Sequence, residues 1–264
     1  MRRLLIIGIG AGDPEQVTMQ AIRALNQADV FFVIDKGAVK QDLMLLRQEI
    51  CERYVENRSY RMVHVPDPDR DRGAPGYRGA VEQWRRQRAE IYGRLIRDEL
   101  TDSACGAFLV WGDPALYDST IAVIEQVIAA GTVELEYEVI PGISSVQALA
   151  ARHRVSLTQV GQPVHITTGR RLSGEGFPER CDDVVVMLDA GCSFTGIADH
   201  GTEIYWGAYL GTKDEILVSG NLAEAGPRIQ AARAEARARK GWIMDTYLLR
   251  RPGRDPAAPD RGGG

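Results

Sequence analysis

Three glycine-bearing turns carry the residue types from which a small-molecule site can be built. Residues 5–14 read Leu-Ile-Ile-Gly-Ile-Gly-Ala-Gly-Asp-Pro, residues 111–120 read Trp-Gly-Asp-Pro-Ala-Leu-Tyr-Asp-Ser-Thr, and residues 140–145 read Ile-Pro-Gly-Ile-Ser-Ser. Glycine lets a main chain come close to a partner, and Asp, Ser and carbonyl oxygens accept hydrogen bonds. The first turn does not read as a phosphate loop. A G-x-G-x-x-G fingerprint begun at Gly8 needs a third glycine where Asp13 stands, and an aspartate cannot replace a glycine whose role is close helix packing. Asp35, ending the run VFFVID, imitates the ribose-binding acid of that fold without restoring the missing glycine. No Gly-Lys-Ser/Thr follows, so a Walker loop is excluded too. An acceptor-rich set fits a ligand with cationic and amide-like groups better than a triphosphate.

The elements that must position these turns alternate in the first part of the chain. Strand-like apolar runs at 3–9, 30–35, 61–65, 104–111 and 135–140 are separated by helical patterns at 17–28, 41–54, 81–100 and 119–130. Thr18 is a candidate N-cap for one helix, and Ser119 or Asp118 for another. Alternation of this kind predicts a mostly parallel sheet with helices on its faces. All three turns then lie at the carboxyl ends of strands, the edge at which open α/β sheets bind ligands. The stretch PDPDRDRGAPGYRG, residues 66–79, is too rich in Pro, Gly and charge for a packed element and reads as a functional loop. Beyond it the pattern changes: strands are expected at 164–168, 184–188, 203–209, 215–219 and 242–249. One long helix is expected at 222–240, with its start interrupted at Gly226-Pro227. The domain reading is an N-terminal α/β domain at 1–142, a C-terminal mixed α/β domain at 143–252 and a disordered tail at 253–264.

Composition narrows the function classes. The chain is 44% apolar and 26% charged with a net charge of −4, so no chain-wide basic field draws it to nucleic acid or membrane. No apolar run reaches the ~18 residues of a membrane helix, and the basic-apolar start lacks a cleavage region, so a cytoplasmic protein is expected. Cys51, Cys105, Cys181 and Cys192 contain no C-x-x-C pair, so neither a zinc site nor a thioredoxin-like motif is expected, and no metal cofactor is expected.

GIGAGDP, VFFVID, GDPALYD, PGISS and the later GTKDEILVSGNL resemble, in order and spacing, the tetrapyrrole methyltransferase family, over residues ~3–250. The resemblance implies two α/β domains with S-adenosylmethionine folded in the cleft between them, and a homodimer. It carries cofactor contacts onto Gly112, Asp113 and Leu116, onto Ser144 and Ser145, onto Leu188 after the VVV strand, and onto Tyr209 and Leu210. Relatives usually have proline where Ala11 stands, a departure that a main-chain contact at Ala11 could survive. Asp113 can brace its loop instead, and Ser144 and Ser145 can cap the helix that follows. The segment YRMVHVPDPDRDRGAPGYRGAVEQW, residues 60–84, is similar to the branch of the family that methylates C1 of precorrin-5 and releases an acetyl group as acetate. Asp35 matches an aspartate implicated in relatives and is the candidate base, with His64 and Tyr77 as further acid-base candidates. A polycarboxylate substrate calls for arginines, and Arg70, Arg72 and Arg78 are preferred over Arg85 and Arg88, which a solvated helix face explains equally well. His153, His165 and His200 read as structural. The competing readings are another tetrapyrrole methyltransferase, an RNA- or diphthamide-pathway methyltransferase of the same fold, and a non-catalytic tetrapyrrole carrier or S-adenosylmethionine sensor.

Overall fold

The apolar runs assemble into two separate sheets. The computed structural model describes residues 1–35, 41–57, 59–68, 77–198 and 201–252, with only the main chain of Asp35, Gln41, Pro66, Tyr77 and Arg78. The chain divides into two compact units, Met1–Ser144 and Ser145–Gly264. Arg70, Arg72, His200 and the expected tail at 253–264 lie outside the described residues.

In the first unit, β1 (Arg2–Gly8), β2 (Val30–Asp35), β3 (Arg61–Pro66), β4 (Cys105–Val110) and β5 (Leu135–Ile140) are all parallel, in the order β3-β2-β4-β1-β5. Helices on both faces explain why the inner strands are continuously apolar; every residue of β4 is buried. On one face, α1 (Met19–Leu25) and α2 (Gln41–Tyr54) supply Ala21, Leu25 and Ile50 to the core. On the other, α3 (Tyr77–Glu99) and α4 (Thr120–Ala129) supply Tyr92, Ile96, Val123 and Val127. Thr18 caps α1, its hydroxyl accepting the Ala21 N–H at 3.0 Å. Before α4, Asp118 accepts the Thr120 N–H at 2.7 Å, while Ser119 makes no cap bond. α3 begins at Tyr77, four residues before the expected 81, so the tail of the presumed loop is helical. Pro75, Gly76 and Gly79 in the sequence hid this start.

The second unit is mixed. β6 (Val164–Thr168), β7 (Asp183–Met187), β8 (Glu203–Ala208), β9 (Ile216–Asn221) and β10 (Asp245–Arg250) are ordered β6-β7-β10-β8-β9. β6 and β7 are parallel, and the other pairs are antiparallel. α5 (Ser145–His153), α6 (Gly169–Glu175) and α7 (Leu222–Lys240) pack on this sheet. α7 is not interrupted by Gly226-Pro227, contrary to expectation; Pro227 lies inside it. Asn221 caps its start by accepting the Ala223 N–H at 3.0 Å, and burial of Ala225, Ile229 and Ala236 outweighs the proline's cost. Gly241, at φ 75°, ends it.

Candidate active site

In the first unit, β1 and β4 are neighbours whose outgoing connections lie on opposite faces, through α1 and α4. That is a topological switch point, where the carboxyl ends of strands leave a crevice. The first two glycine turns flank it and touch main chain to main chain. The Gly112 N–H donates to the Gly10 carbonyl at 2.8 Å, and the Gly10 N–H to the Gly112 carbonyl at 3.4 Å. Asp113 adds the third turn: Oδ1 accepts the Ala115 N–H at 2.8 Å and Oδ2 the Gly142 N–H at 2.9 Å. There is no space here for a side chain. A Cβ on Gly142 would stand 2.2 Å from the Gly112 oxygen, and one on Gly8 would stand 2.6 Å from the Gly142 nitrogen. These glycines let three turns approach one another, and Asp113 braces them. Ala11 is buried, with its N–H on the Gln16 Oε1 at 3.0 Å. Leu116 is half-buried and Ser144 buried. Apolar Tyr117 and Ile143, 45% and 37% exposed, sit beside them.

The acid-base candidates lie on three elements of the first unit. Asp35 ends β2 opposite Pro66, and His64 lies opposite Val33 on neighbouring β3; His64 is exposed. Tyr77 and Arg78 open α3. Two arginines of the first unit were missed or misplaced by sequence reasoning, Arg88 buried and Arg47 half-buried. Arg88 does not present a solvated cation: its Nε lies 3.0 Å from Asp67 Oδ1, and its Nη1 donates to Ser119 Oγ at 2.7 Å. Its guanidinium also stacks 4.5 Å from the Trp84 ring centroid, and the Trp84 indole donates to the Pro68 carbonyl at 3.0 Å. α3 thereby fixes the residues that leave β3 and links them to the turn after β4. Arg47 donates to the Leu109 carbonyl at 3.0 Å and to the Leu43 carbonyl at 2.7 Å. Burial lowers its pKa to about 10, against the pull of Asp118 and Tyr92. An arginine within the apolar run Leu43–Leu46 and Ile50 was the available sequence signal.

In the second unit, Leu188 follows β7 and Tyr209 follows β8, strands whose carboxyl ends share one edge on either side of β10. Both are in the left-handed region, at φ 53° and 49°. For residues of this size that costs about 1–2 kcal/mol each. Leu188 is 65% exposed. The Tyr209 phenol donates to the Trp242 carbonyl at 2.5 Å, and Leu210 is buried against Gly207, where a Cβ would stand 2.6 Å from Leu210 Cδ2. Tyr209 and Leu210 therefore have only main-chain atoms to offer a ligand. The Ser145 hydroxyl accepts from Thr246 Oγ1 at 3.0 Å. Within each unit the strand ends combine exposed apolar side chains, against which a flat ring can lie, with turn main chain that can hydrogen-bond polar groups.

His153 is tied to the Trp206 carbonyl at 3.0 Å and His165 is exposed on an edge strand. All four cysteines are free thiols; burial raises Cys51 to about 12, which leaves it unreactive. Among the described residues no three His, Cys, Asp or Glu side chains form a metal-binding group.

A family model described as Tetrapyrrole (Corrin/Porphyrin) Methylases matches residues 3–226. A precorrin-6A synthase [deacetylating] from Sinorhizobium sp. is 55% identical over 251 residues, covering 95% of this chain and 96% of the relative. The crystal structure of a cobalamin synthesis related protein (CobF) from Corynebacterium diphtheriae superposes with a TM-score of 0.82 at 37% identity, covering 95% of this chain and 98% of that one. A uroporphyrin-III C-methyl transferase from Thermus thermophilus, complexed with S-adenosyl homocysteine, has the same fold at a TM-score of 0.57 and 19% identity, covering 94% and 96%.

Proposed function

This chain belongs to the tetrapyrrole (corrin/porphyrin) methylases, and on that premise we propose that it methylates precorrin-5 at C1 with release of the acetyl group as acetate, giving precorrin-6A in the aerobic cobalamin route. The observation that carries this reading is the 55% identity to precorrin-6A synthase [deacetylating], spread over nearly the whole of both chains.

S-adenosylmethionine supplies a methyl carbon already activated by the sulfonium charge. The chain's task is to place and to exclude. In the first unit Ala11, Gly112, Leu116 and Ser144 hold the donor, with Asp113 contributing through its brace. In the second, Ser145, Leu188, Tyr209 and Leu210 do so. Loss of acetyl as acetate requires water to add to the acetyl carbonyl, a base to take the water's proton, and donors for the developing oxyanion, whose collapse breaks the C1–acetyl bond and leaves its electron pair on C1 to take the methyl. Asp35 is assigned as the base, with His64 and Tyr77 as further acid-base groups. The register of β2 and β3 supports the grouping of Asp35 with His64. Arg70, Arg72 and Arg78 pair with substrate carboxylates. We further infer a homodimer with functional domains at 1–142 and 143–252, which the family resemblance supports, in the cytoplasm and without metal, nucleic acid or membrane partner, which the net charge of −4 and the residue pattern support.

Mass spectrometry of a reaction with precorrin-5 and isotopically labelled methyl donor is the test. Methyl transfer and acetate release in matched amounts are expected. Methylation without acetate would overturn the deacetylating assignment and leave a different precorrin methyltransferase. Asp35→Asn is expected to keep S-adenosylhomocysteine affinity and slow product formation; unchanged turnover would remove Asp35 from the chemistry.

A further inference from the structure

The turn that carries Leu188 is built around a buried carboxylate. Between Leu188 at φ 53° and Cys192 at φ 55° lies Asp189, only 5% exposed. Its Oδ1 accepts the Gly191 N–H at 2.9 Å and lies 2.9 Å from the Ser193 hydroxyl. Its Oδ2 accepts the Ser193 N–H at 2.6 Å and the Tyr247 hydroxyl at 2.7 Å. The Asp189 carbonyl accepts from Arg233 Nη2 at 2.6 Å. Arg233 is fixed in turn by an ion pair with Asp245 at 3.0 Å, and Asp245 also accepts from the Trp206 indole at 2.9 Å. Gly169 clears the space, since a Cβ there would stand 2.4 Å from Asp189 Cγ. Side chains from α7, β8 and β10, together with the opening of α6, thus converge on the residue that follows Leu188.

This arrangement exceeds what cohesion of the sheet demands. Buried ionic groups are commonly replaceable by apolar ones without loss of stability, and the same unit has an apolar core of Ile204, Ile229 and Leu249. What the network does impose is a fixed main-chain path that keeps an exposed leucine in a disfavoured conformation. Such strain persists only where its surroundings over-determine it.

We propose that Asp189 and Tyr247 are positioning residues that hold Leu188 in its left-handed conformation and so set the affinity for the methyl donor. The inference rests on reading Leu188 as a donor contact.

The test is calorimetric titration of the full chain with S-adenosylhomocysteine, alongside steady-state kinetics. Removing one hydrogen bond to a buried carboxylate by Tyr247→Phe is expected to weaken binding about tenfold. The same variant should raise the donor KM while kcat at saturating donor stays within about twofold. Tyr205→Phe removes a phenol that donates to Glu203 on the same sheet and is expected to leave binding unchanged. Asparagine tolerates the left-handed region, so in a Leu188→Asn background Tyr247→Phe should weaken binding by less than about threefold. Should Tyr247→Phe fail to fold, Ser193→Ala is read in its place. Unchanged affinity in Tyr247→Phe, or a full effect in the Leu188→Asn background, overturns the inference. If Leu188→Asp also binds like the parent, it is the assignment of Leu188 as a donor contact that has failed; if Leu188→Asp weakens binding while Tyr247→Phe does not, only the positioning role has.

Discussion

Gly142 illustrates how tightly single residues constrain the candidate site. Its Cα hydrogen occupies the position where any other residue would force a Cβ to 2.2 Å from the Gly112 oxygen and 2.8 Å from Gly8. All of the crowding atoms are main chain, so none can swing away. Gly142→Ala is therefore expected to cost about 3 kcal/mol in urea unfolding and to weaken S-adenosylhomocysteine binding. Gly174 in α6 has nothing within 4 Å of a built Cβ, and Gly174→Ala should instead stabilise by about 0.5 kcal/mol. His153 gives a pH signature. Burial lowers its pKa from 6.5, with the Trp206 carbonyl and Glu215 opposing. A histidine that binds its proton less readily when folded gives a stability that rises with pH, from the folded pKa up to the unfolded value near 6.5. The penalty is absent above that window and complete below it. Across pH about 5 to 7, His153→Gln should flatten the dependence of thermal midpoint on pH; an unaltered slope would refute the assignment.

Elements were legible where burial was periodic or continuous. The runs at β1, β2 and β4 announced a parallel sheet because both of its faces are covered there, whereas edge strand β5 alternates; the three turns fell at the carboxyl edge because the strands run parallel. α6 was not legible: Gly169–Glu175 holds one buried apolar side chain, Leu172, so no period can be seen. α3 was read late at its start, and for Arg85 and Arg88 a solvated face was an equal alternative to pairing with substrate. The structure distinguishes them. Arg88 is 5% exposed and serves as the link between Asp67 after β3 and Ser119 before α4. Removing one partner of a buried pair leaves an uncompensated charge, so Arg88→Met is expected to cost about 3 kcal/mol. The double variant Arg88→Met/Asp67→Asn should recover part of it, as chemical denaturation would show. A double variant no more stable than Arg88→Met would mean that the guanidinium acts through Ser119 and the Trp84 ring alone. The network around Asp189 was illegible for a different reason. Asp189, Arg233, Asp245 and Tyr247 are scattered over 58 positions, and no local pattern marks four polar residues that meet only in the folded unit.

For the molecule as a whole, charge favours methylating a tetrapyrrole over methylating a nucleic acid. The chain has 32 basic and 36 acidic residues. The basic count overstates what is available to a phosphate backbone, because Arg88, Arg233 and Arg250 are committed to Asp67, Asp245 and Asp183. Binding that rests on about 6–10 phosphate contacts needs as many uncommitted cations on one surface. A polycarboxylate macrocycle needs only a few arginines at one edge, so a net charge of −4 is no obstacle to it. With labelled methyl donor and total RNA, no label is expected in the RNA. In about 0.15 M salt, where surface charges more than a Debye length apart are screened, the chain should not be retained on immobilised RNA. The same preparation given precorrin-5 should pass the label to the macrocycle. Label recovered in RNA, with none in the tetrapyrrole, would show that local basic groups outweigh the net charge and would move the chain to a nucleic-acid substrate despite its fold.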